Sequence, residues 1–379
     1  MRRVRCRASA TQDRLHYMDH LRALAMLAGV FFHAALAYSP LMHGFWPLAD
    51  RQSSAWVDVA AWGLHLVRMP LFFLVAGFFA AWILGRRGGV ALARQRVRRI
   101  LLPFLVAWPL VWWSLSASTD WALANVQQPS PLLEMVRAWM LLPDRPRLPP
   151  GTAHLWFLYY LLLFAVLHWV ARTLELGRVG RWLLDRHPAW VLLGLPLLLA
   201  PVLATVSAPH PAPEGLLPQF WALAFYGAFF ALGTQVHARP DWLQSARPFA
   251  PWLFAGCVLL YMVFLWRLRV ELPGADAPTA SWPLAALEAL LSVWLTVFCL
   301  LAGQRLLDRP NPLMRYLAQS AYWTYLLHLP LLFAIQYLLM DLELHWPLKF
   351  ALASAGTLAL CLLSYQLLVR HTPLRRFVG

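Results

Sequence analysis

The chain has 379 residues, 60% hydrophobic and only 13% charged, with 21 Trp and 29 Pro, a balance that excludes an ordinary soluble globular domain. Its formal charge of +15 does not point to a nucleic-acid partner, because the arginines fall between long apolar segments and not on one polar face. The cysteines Cys6, Cys257, Cys299 and Cys361 are widely separated, which argues against a disulfide framework or a paired-cysteine zinc site.

In chain order, ten apolar segments are long enough to cross a hydrocarbon core of roughly 30 Å: about 21–40, 59–83, 101–118, 153–171, 189–206, 218–237, 249–268, 283–304, 317–340 and 348–369. The sequence predicts an all-α, polytopic membrane helix bundle of about ten transmembrane helices. A basic N-terminal tail is expected over 1–18, one transmembrane domain over 19–370 and a short C-terminal tail over 371–379. With the N-terminus cytoplasmic, that side collects 23 cations, among them Arg94, Arg98 and Arg99, against seven outside: Arg51, Arg137, Arg145, Arg147, Arg267, Arg269 and Lys349. The positive-inside rule then places both termini in the cytoplasm.

Between the segments, 119–152 reads as an exterior loop with a short surface helix near 131–142, and 207–217, "SAPHPAPEGLL", as a Pro-rich exterior turn. The basic stretch "RRGGVALARQRVRR" has the pattern of a helix lying on anionic headgroups. No internal repeat of the kind that marks many transporters is evident.

An ionisable group within a span is by default a pathway or site candidate. In the first segment, Arg22 and His33 are 11 residues apart, three turns plus about 20°, so they share a face about 16 Å apart along the axis. Asp19, three residues before Arg22, joins that face. A neutral imidazole there can act as general base toward a hydroxyl, or can simply bridge two helices. The second segment carries His65 and Arg68 at a depth comparable with His33. A fixed guanidinium there either snorkels to the interface or binds a carboxylate or developing oxyanion. "HLWFL" opens the fourth with His154 and Trp156 at the same exterior level. Glu288 in the eighth can orient a histidine, hold a cation or simply reach water. His328 in the ninth precedes Pro330, whose missing donor frees a carbonyl that the histidine can satisfy. His16 and His20 have the spacing of helical metal ligands, but no further ligand converges on them, so no metal site is expected. Walker, dinucleotide-binding and G-x-S-x-G motifs are absent.

The stretches "YMDHLRALAMLAGVFFHAALAYS", "HLVRMPLFFLVAGFF", "RVRRILLPFL", "HLWFL" and "YLLHLPL", in that order, make the chain resemble the acyltransferase-3 family of integral membrane acyltransferases. The most specific match is a basic residue and a histidine with ten residues between them, Arg22 and His33. The resemblance implies transfer of an acyl group from a cytoplasmic acyl-CoA-type donor to a carbohydrate outside the cytoplasmic membrane of a bacterium. Among members acting on periplasmic glucans, that group is succinyl. It assigns His33 the catalytic histidine, Arg22 its paired basic residue and Arg68 the second-helix arginine. The reading of the spans themselves adds Asp19 to the catalytic face and His65, His154, Trp156, Glu288 and His328 as candidate substrate contacts, while Arg94, Arg98 and Arg99 either attract the donor's phosphates or only mark the cytoplasmic side. No cofactor beyond the donor is implied. Two departures stand out: Ala76 precedes Gly77 where many members have serine, and no appended esterase-like domain is read, so the membrane domain would complete the transfer alone. A transporter or flippase for a carbohydrate or organic anion is the alternative class, and a scaffold whose histidines only bridge helices is a third.

Overall fold

The structure, a computed structural model, describes residues 15–143, 151–175, 178, 187–271 and 279–378. Most of the expected N-terminal tail, including Arg2, Arg3, Arg5, Arg7 and Arg14, lies outside the described residues, as do Arg145, Arg147, Arg181 and Arg186. Among the described residues, one isolated bridge, Gly151 to Gly215, is the only β pairing. A bilayer offers no water to backbone groups, so long apolar runs close their hydrogen bonds internally as helices.

The main helices are α1 (His16–Ala35), α2 (Ala55–Arg96), α3 (Leu102–Asn125), the short α4 (Pro131–Met140) and α5 (Trp156–Thr173). They are followed by α6 (Leu195–Leu203), α7 (Phe220–Ala238), the short α8 (Asp241–Ala246), α9 (Ala250–Glu271), α10 (Trp282–Leu306), α11 (Pro312–Met340), α12 (Trp346–Ser364) and α13 (Arg375–Val378). Several starts are written locally. Ser130, Ser281 and Asn311 each accept the backbone N–H three residues on, at 3.2, 3.4 and 3.0 Å, with proline in the first turn, the residue pairing that favours a helix N-terminus.

All ten expected segments fall on helices. Seven stretches are, by themselves, long and apolar enough to cross a membrane. The difference has three sources. Ala55–Asn125 carries two expected segments in one 71-residue run, which would be about 106 Å long if straight. Gly88 interrupts it at φ 76°, a left-handed conformation that glycine adopts without penalty, and a π turn at Val97–Leu101 follows. Trp190–Leu203 is apolar but shorter than 18 residues. In α7 the polar residues Gln235 and His237 dilute an otherwise apolar run.

Helix α2 is central and packs on α1, α5, α7 and α10. Its contacts fix directions: Phe73 meets Tyr226 and Phe78 meets His237, with ring centroids 4.9 and 5.0 Å apart, so α2 and α7 run parallel. Helices α1 and α11 are also parallel, since Arg22 reaches the Ala318 carbonyl at one end and His33 faces His328 farther along. Outward-facing Trp252, Leu259, Met262 and Trp266 leave one side of α9 apolar and exposed, a surface suited to lipid and a liability in water.

The α2–α7 crossing depends on two glycines. A Cβ on Gly77 would run into the backbone of Phe230, and one on Gly233 into the backbone of Leu74 and Phe78. Without a hydrophobic drive between helices in lipid, such close approach supplies much of the packing. Replacing Gly77 or Gly233 with Ala is expected to lower the thermal midpoint in detergent, at a cost of roughly 1–3 kcal/mol. Gly29, with open space around it, serves as the control; an unchanged midpoint in both crossing variants would refute the tight contact.

Candidate active site

The bundle encloses a cavity of about 690 Å³ whose wall includes His33, His65, Arg68, His154, Trp156 and His328. Six positions singled out from four sequence segments thus share one space. His33, on the last turns of α1, faces His328 of α11 at 5.4 Å between ring centroids, and His328 faces His154 at 5.1 Å. His328 Nδ1 lies 2.8 Å from the Tyr325 carbonyl oxygen and His154 Nε2 lies 3.1 Å from the same oxygen. A carbonyl only accepts, so both nitrogens carry protons and donate. This leaves His154 Nδ1, buried and without a partner, as a lone-pair acceptor. The expectation that His328 satisfies the carbonyl freed by Pro330 is not met: His328 takes the Tyr325 oxygen, whereas the proline leaves open the carbonyl of Leu326. The Tyr325 hydroxyl in turn donates to the His154 carbonyl, tying α11 to the start of α5.

Arg68 does not snorkel away. Its guanidinium sits 4.0 Å from the Phe32 ring centroid, a cation–π contact, and its buried Nε has no hydrogen-bond partner. His33 Nδ1 and both ring nitrogens of His65 are likewise buried and unpartnered. Trp156, also on the cavity wall, is buried beside Tyr226, ring centroids 5.1 Å apart.

Glu288 is not on the cavity wall itself. It lies behind His210, with its Oε1 2.7 Å from His210 Nδ1 and 2.9 Å from the His210 backbone nitrogen. His210 was passed over in the sequence because it sits in the Pro-rich turn 207–217, where no helical period reports on burial. A histidine flanked by two prolines was the available signal. His65, His210 and Glu288 place one ligand-type atom each within 4.8 Å of one another.

Asp19 and Arg22 lie apart from this cavity. They pair with each other at 3.2 Å, and Arg22 donates to the Ala318 carbonyl at 2.9 Å, so the polar face of α1 meets α11 at both ends. Arg94, Arg98 and Arg99 are exposed beyond the Gly88 break, with Arg98 5.1 Å from the Phe377 ring. A second cavity, of about 1230 Å³, lies toward that end of α2 and α5, with His168, Arg172 and Gln235 on its wall.

The profile of the acyltransferase-3 family, described as an acyltransferase domain, matches residues 15–366. The chain belongs to the acyltransferase-3 family. It is a multi-pass membrane acyltransferase. Among curated proteins it is similar to glucans biosynthesis protein C of Salmonella paratyphi B, Salmonella dublin and Salmonella enteritidis PT4, each 24% identical over 343 residues, covering 86% of this chain and 84% of the relative. No solved structure matches the chain significantly.

The histidine-lined cavity is roofed by the segment between α1 and α2, which contributes Met42, Phe45 and Trp46 to its wall. Trp46 stacks on His33 at 6.1 Å between centroids. This roof is pinned from below: Lys349 Nζ donates to Asp50 Oδ2 at 2.6 Å and to the Met340 carbonyl at 3.2 Å, and both charged side chains are at most 5% exposed. Lys349, counted from sequence among exterior loop cations, is therefore a buried structural cation. Lys349→Met strands the Asp50 carboxylate and is expected to cost about 3–5 kcal/mol. Asp50→Asn combined with Lys349→Met should recover part of that loss. Thermal unfolding of both variants checks this; equal losses would show that the ion pair does not hold the roof.

Proposed function

We propose that this acyltransferase moves a succinyl group from a cytoplasmic acyl-CoA donor to hydroxyls of a periplasmic glucan, across the inner membrane of a bacterium. The observation that carries the reading is the histidine-lined cavity with an arginine whose buried Nε has no hydrogen-bond partner, built inside an acyltransferase-3 bundle. The glucan acceptor rests on the name of the similar Salmonella proteins.

Ten spans with both termini cytoplasmic fit the helix directions. If Ala55–Asn125 crosses twice and Trp190–Leu203 and Phe220–Ala238 cross once each, α1 and α11 become the first and ninth spans, and α2 and α7 the second and sixth. Each pair must then be parallel, in agreement with their contacts. The charge bias sets the sign of the orientation and puts the roof and the 207–217 turn outside. The domain is then the bundle 19–370 with short cytoplasmic ends, 1–18 and 371–379.

In the reaction, His33 accepts the proton of the attacking hydroxyl as its oxygen bonds to the thioester carbon. The C–S bond breaks, and the departing thiolate takes up that proton. Arg68 stabilises the tetrahedral oxyanion or holds the distal carboxylate of the succinyl group. His65, His154, Trp156 and His328 shape the space around the reacting groups. Arg94, Arg98 and Arg99 attract the donor's phosphates, and the 1230 Å³ cavity at that end offers its approach. Asp19 and Arg22 act at the donor side of α1, with Arg22 about 16 Å from His33 along the helix.

Purified protein in nanodiscs, given labelled succinyl-CoA and a gluco-oligosaccharide, should yield ester-linked succinyl sugar and free CoA. His33→Ala should lower that rate at least about 10²-fold while leaving size-exclusion behaviour unchanged. Full transfer by the variant would remove His33 as the base, and movement of unaltered sugar across the bilayer without acylation would replace the enzyme by a transporter.

A further inference from the structure

Five histidines line the cavity: His33, His65, His154, His210 and His328. Among the described residues, His210 is the one of these held by a carboxylate. Glu288 and His210 are each about 1% exposed, so this pair is kept at the cost of burying a charge where hydrocarbon surrounds the bundle. The geometry gives the carboxylate a definite task. Glu288 Oε1 accepts from the His210 backbone N–H at 2.9 Å and from ring Nδ1 at 2.7 Å. The proton of a neutral imidazole is thereby held on Nδ1, and Nε2 carries the lone pair. That Nε2 is buried and has no partner, on a ring that faces His65 at 4.4 Å between centroids. An orphaned acceptor in a fixed tautomer is a place prepared for a donor.

The surrounding orphans define the donor. Trp46 Nε1 is a buried donor without a partner, and neither nitrogen of His65 is hydrogen-bonded; a neutral imidazole offers one donor and one acceptor. The cavity therefore presents unpartnered donors and acceptors together. A hydroxyl both donates and accepts, and a carbohydrate carries several on adjacent carbons. An alkyl acceptor would leave these groups unsatisfied. A divalent metal is the competing occupant: His65, His210 and Glu288 each bring one ligand-type atom within 4.8 Å of the others and Glu288 Oε2 is buried and unpartnered, but Oε1 is held by two donors and tetrahedral zinc at about 2.0–2.1 Å would need ligand atoms roughly 3.3 Å apart.

We infer that the Glu288–His210 pair is an acceptor subsite, in which His210 Nε2 receives a hydrogen bond from a sugar hydroxyl adjacent to the one being acylated and so selects a polyhydroxylated acceptor. Glu288 acts through His210 as a positioning residue. The inference rests on the acyl-transfer reading of the same cavity, with His33 as the group that moves the proton.

The test is steady-state kinetics with succinyl-CoA and a gluco-oligosaccharide, varying each in turn, for wild type, His210→Ala, Glu288→Gln and Glu288→Asp. His210→Ala and Glu288→Gln should raise KM for the oligosaccharide roughly tenfold, the effect of one lost hydrogen bond with its partner left unpaired. KM for succinyl-CoA and kcat should stay within about threefold. Glu288→Asp, which keeps the carboxylate, should recover part of the loss. Oligosaccharide binding read by tryptophan fluorescence in a His33→Ala background should weaken in the same order without any turnover. An unchanged acceptor KM, or a fall in kcat alone, overturns the subsite. So does zinc or manganese that copurifies stoichiometrically with wild type and is lost in Glu288→Gln. Wild-type turnover reports separately on the acyl-transfer reading, so failure of that reading is distinguishable from a wild-type enzyme whose variants bind sugar normally.

Discussion

Arg68 is a guanidinium enclosed by a helix bundle, with the face of Phe32 4.0 Å away as its counter-surface. A cation at that depth is costly unless the protein surrounds it, and much of the architecture serves that need. Helix α2, which carries it, is packed on four other helices. The α2–α7 contact is tight because Gly77 and Gly233 let the two backbones meet. The motif glycine that follows Arg68 by nine residues is therefore a packing device that fixes the depth and rotation of the arginine.

A polar cavity inside apolar surroundings also has to decide which of its hydrogen bonds to close. Here the closed ones hold the walls. A single carbonyl, that of Tyr325, takes one proton from His154 and one from His328, and the Glu288 carboxylate holds the proton of His210. The open ones are His33 Nδ1, Trp46 Nε1, both nitrogens of His65, Arg68 Nε, His154 Nδ1 and His210 Nε2, all on residues of the cavity wall. Unsatisfied buried groups are ordinarily destabilising, so their concentration in one cavity is a stronger pointer to function than any one histidine would be.

Much of this was legible because helices impose a period. The positions of His33, His65, Arg68, His154 and His328 stood out as ionisable groups in apolar runs, and a shared depth was readable for all but His328 from helix length and chain direction. What escaped was set by segments without a period. His210 sits in a proline-rich turn, and the roof with Trp46 belongs to a connector of short turns. Lys349 looked like a loop cation because sequence distance from a helix end does not report burial. Glu288 was visible, but its partner was not, so orienting a histidine or holding a cation was no better a reading of it than simply reaching water. The run Ala55–Asn125 also blurs two segments into one, because a single glycine with positive φ marks the break.

The eleven-residue step from Arg22 to His33 takes on a different meaning in three dimensions. Sharing a face does not bring both residues to the cavity; it brings both to α11. Arg22 binds the Ala318 carbonyl, His33 meets His328, and just beyond, the Gln336 amide donates to the Ala34 carbonyl at 2.9 Å. Three contacts spaced along two parallel helices lock their relative translation, so His33 cannot slide against His328 without breaking the polar contact at the opposite end. Anything that engages Arg22 acts on the same rigid pair of helices that positions His33. In this bundle the basic residue and the histidine are coupled mechanically by α11, across a distance too great for direct interaction.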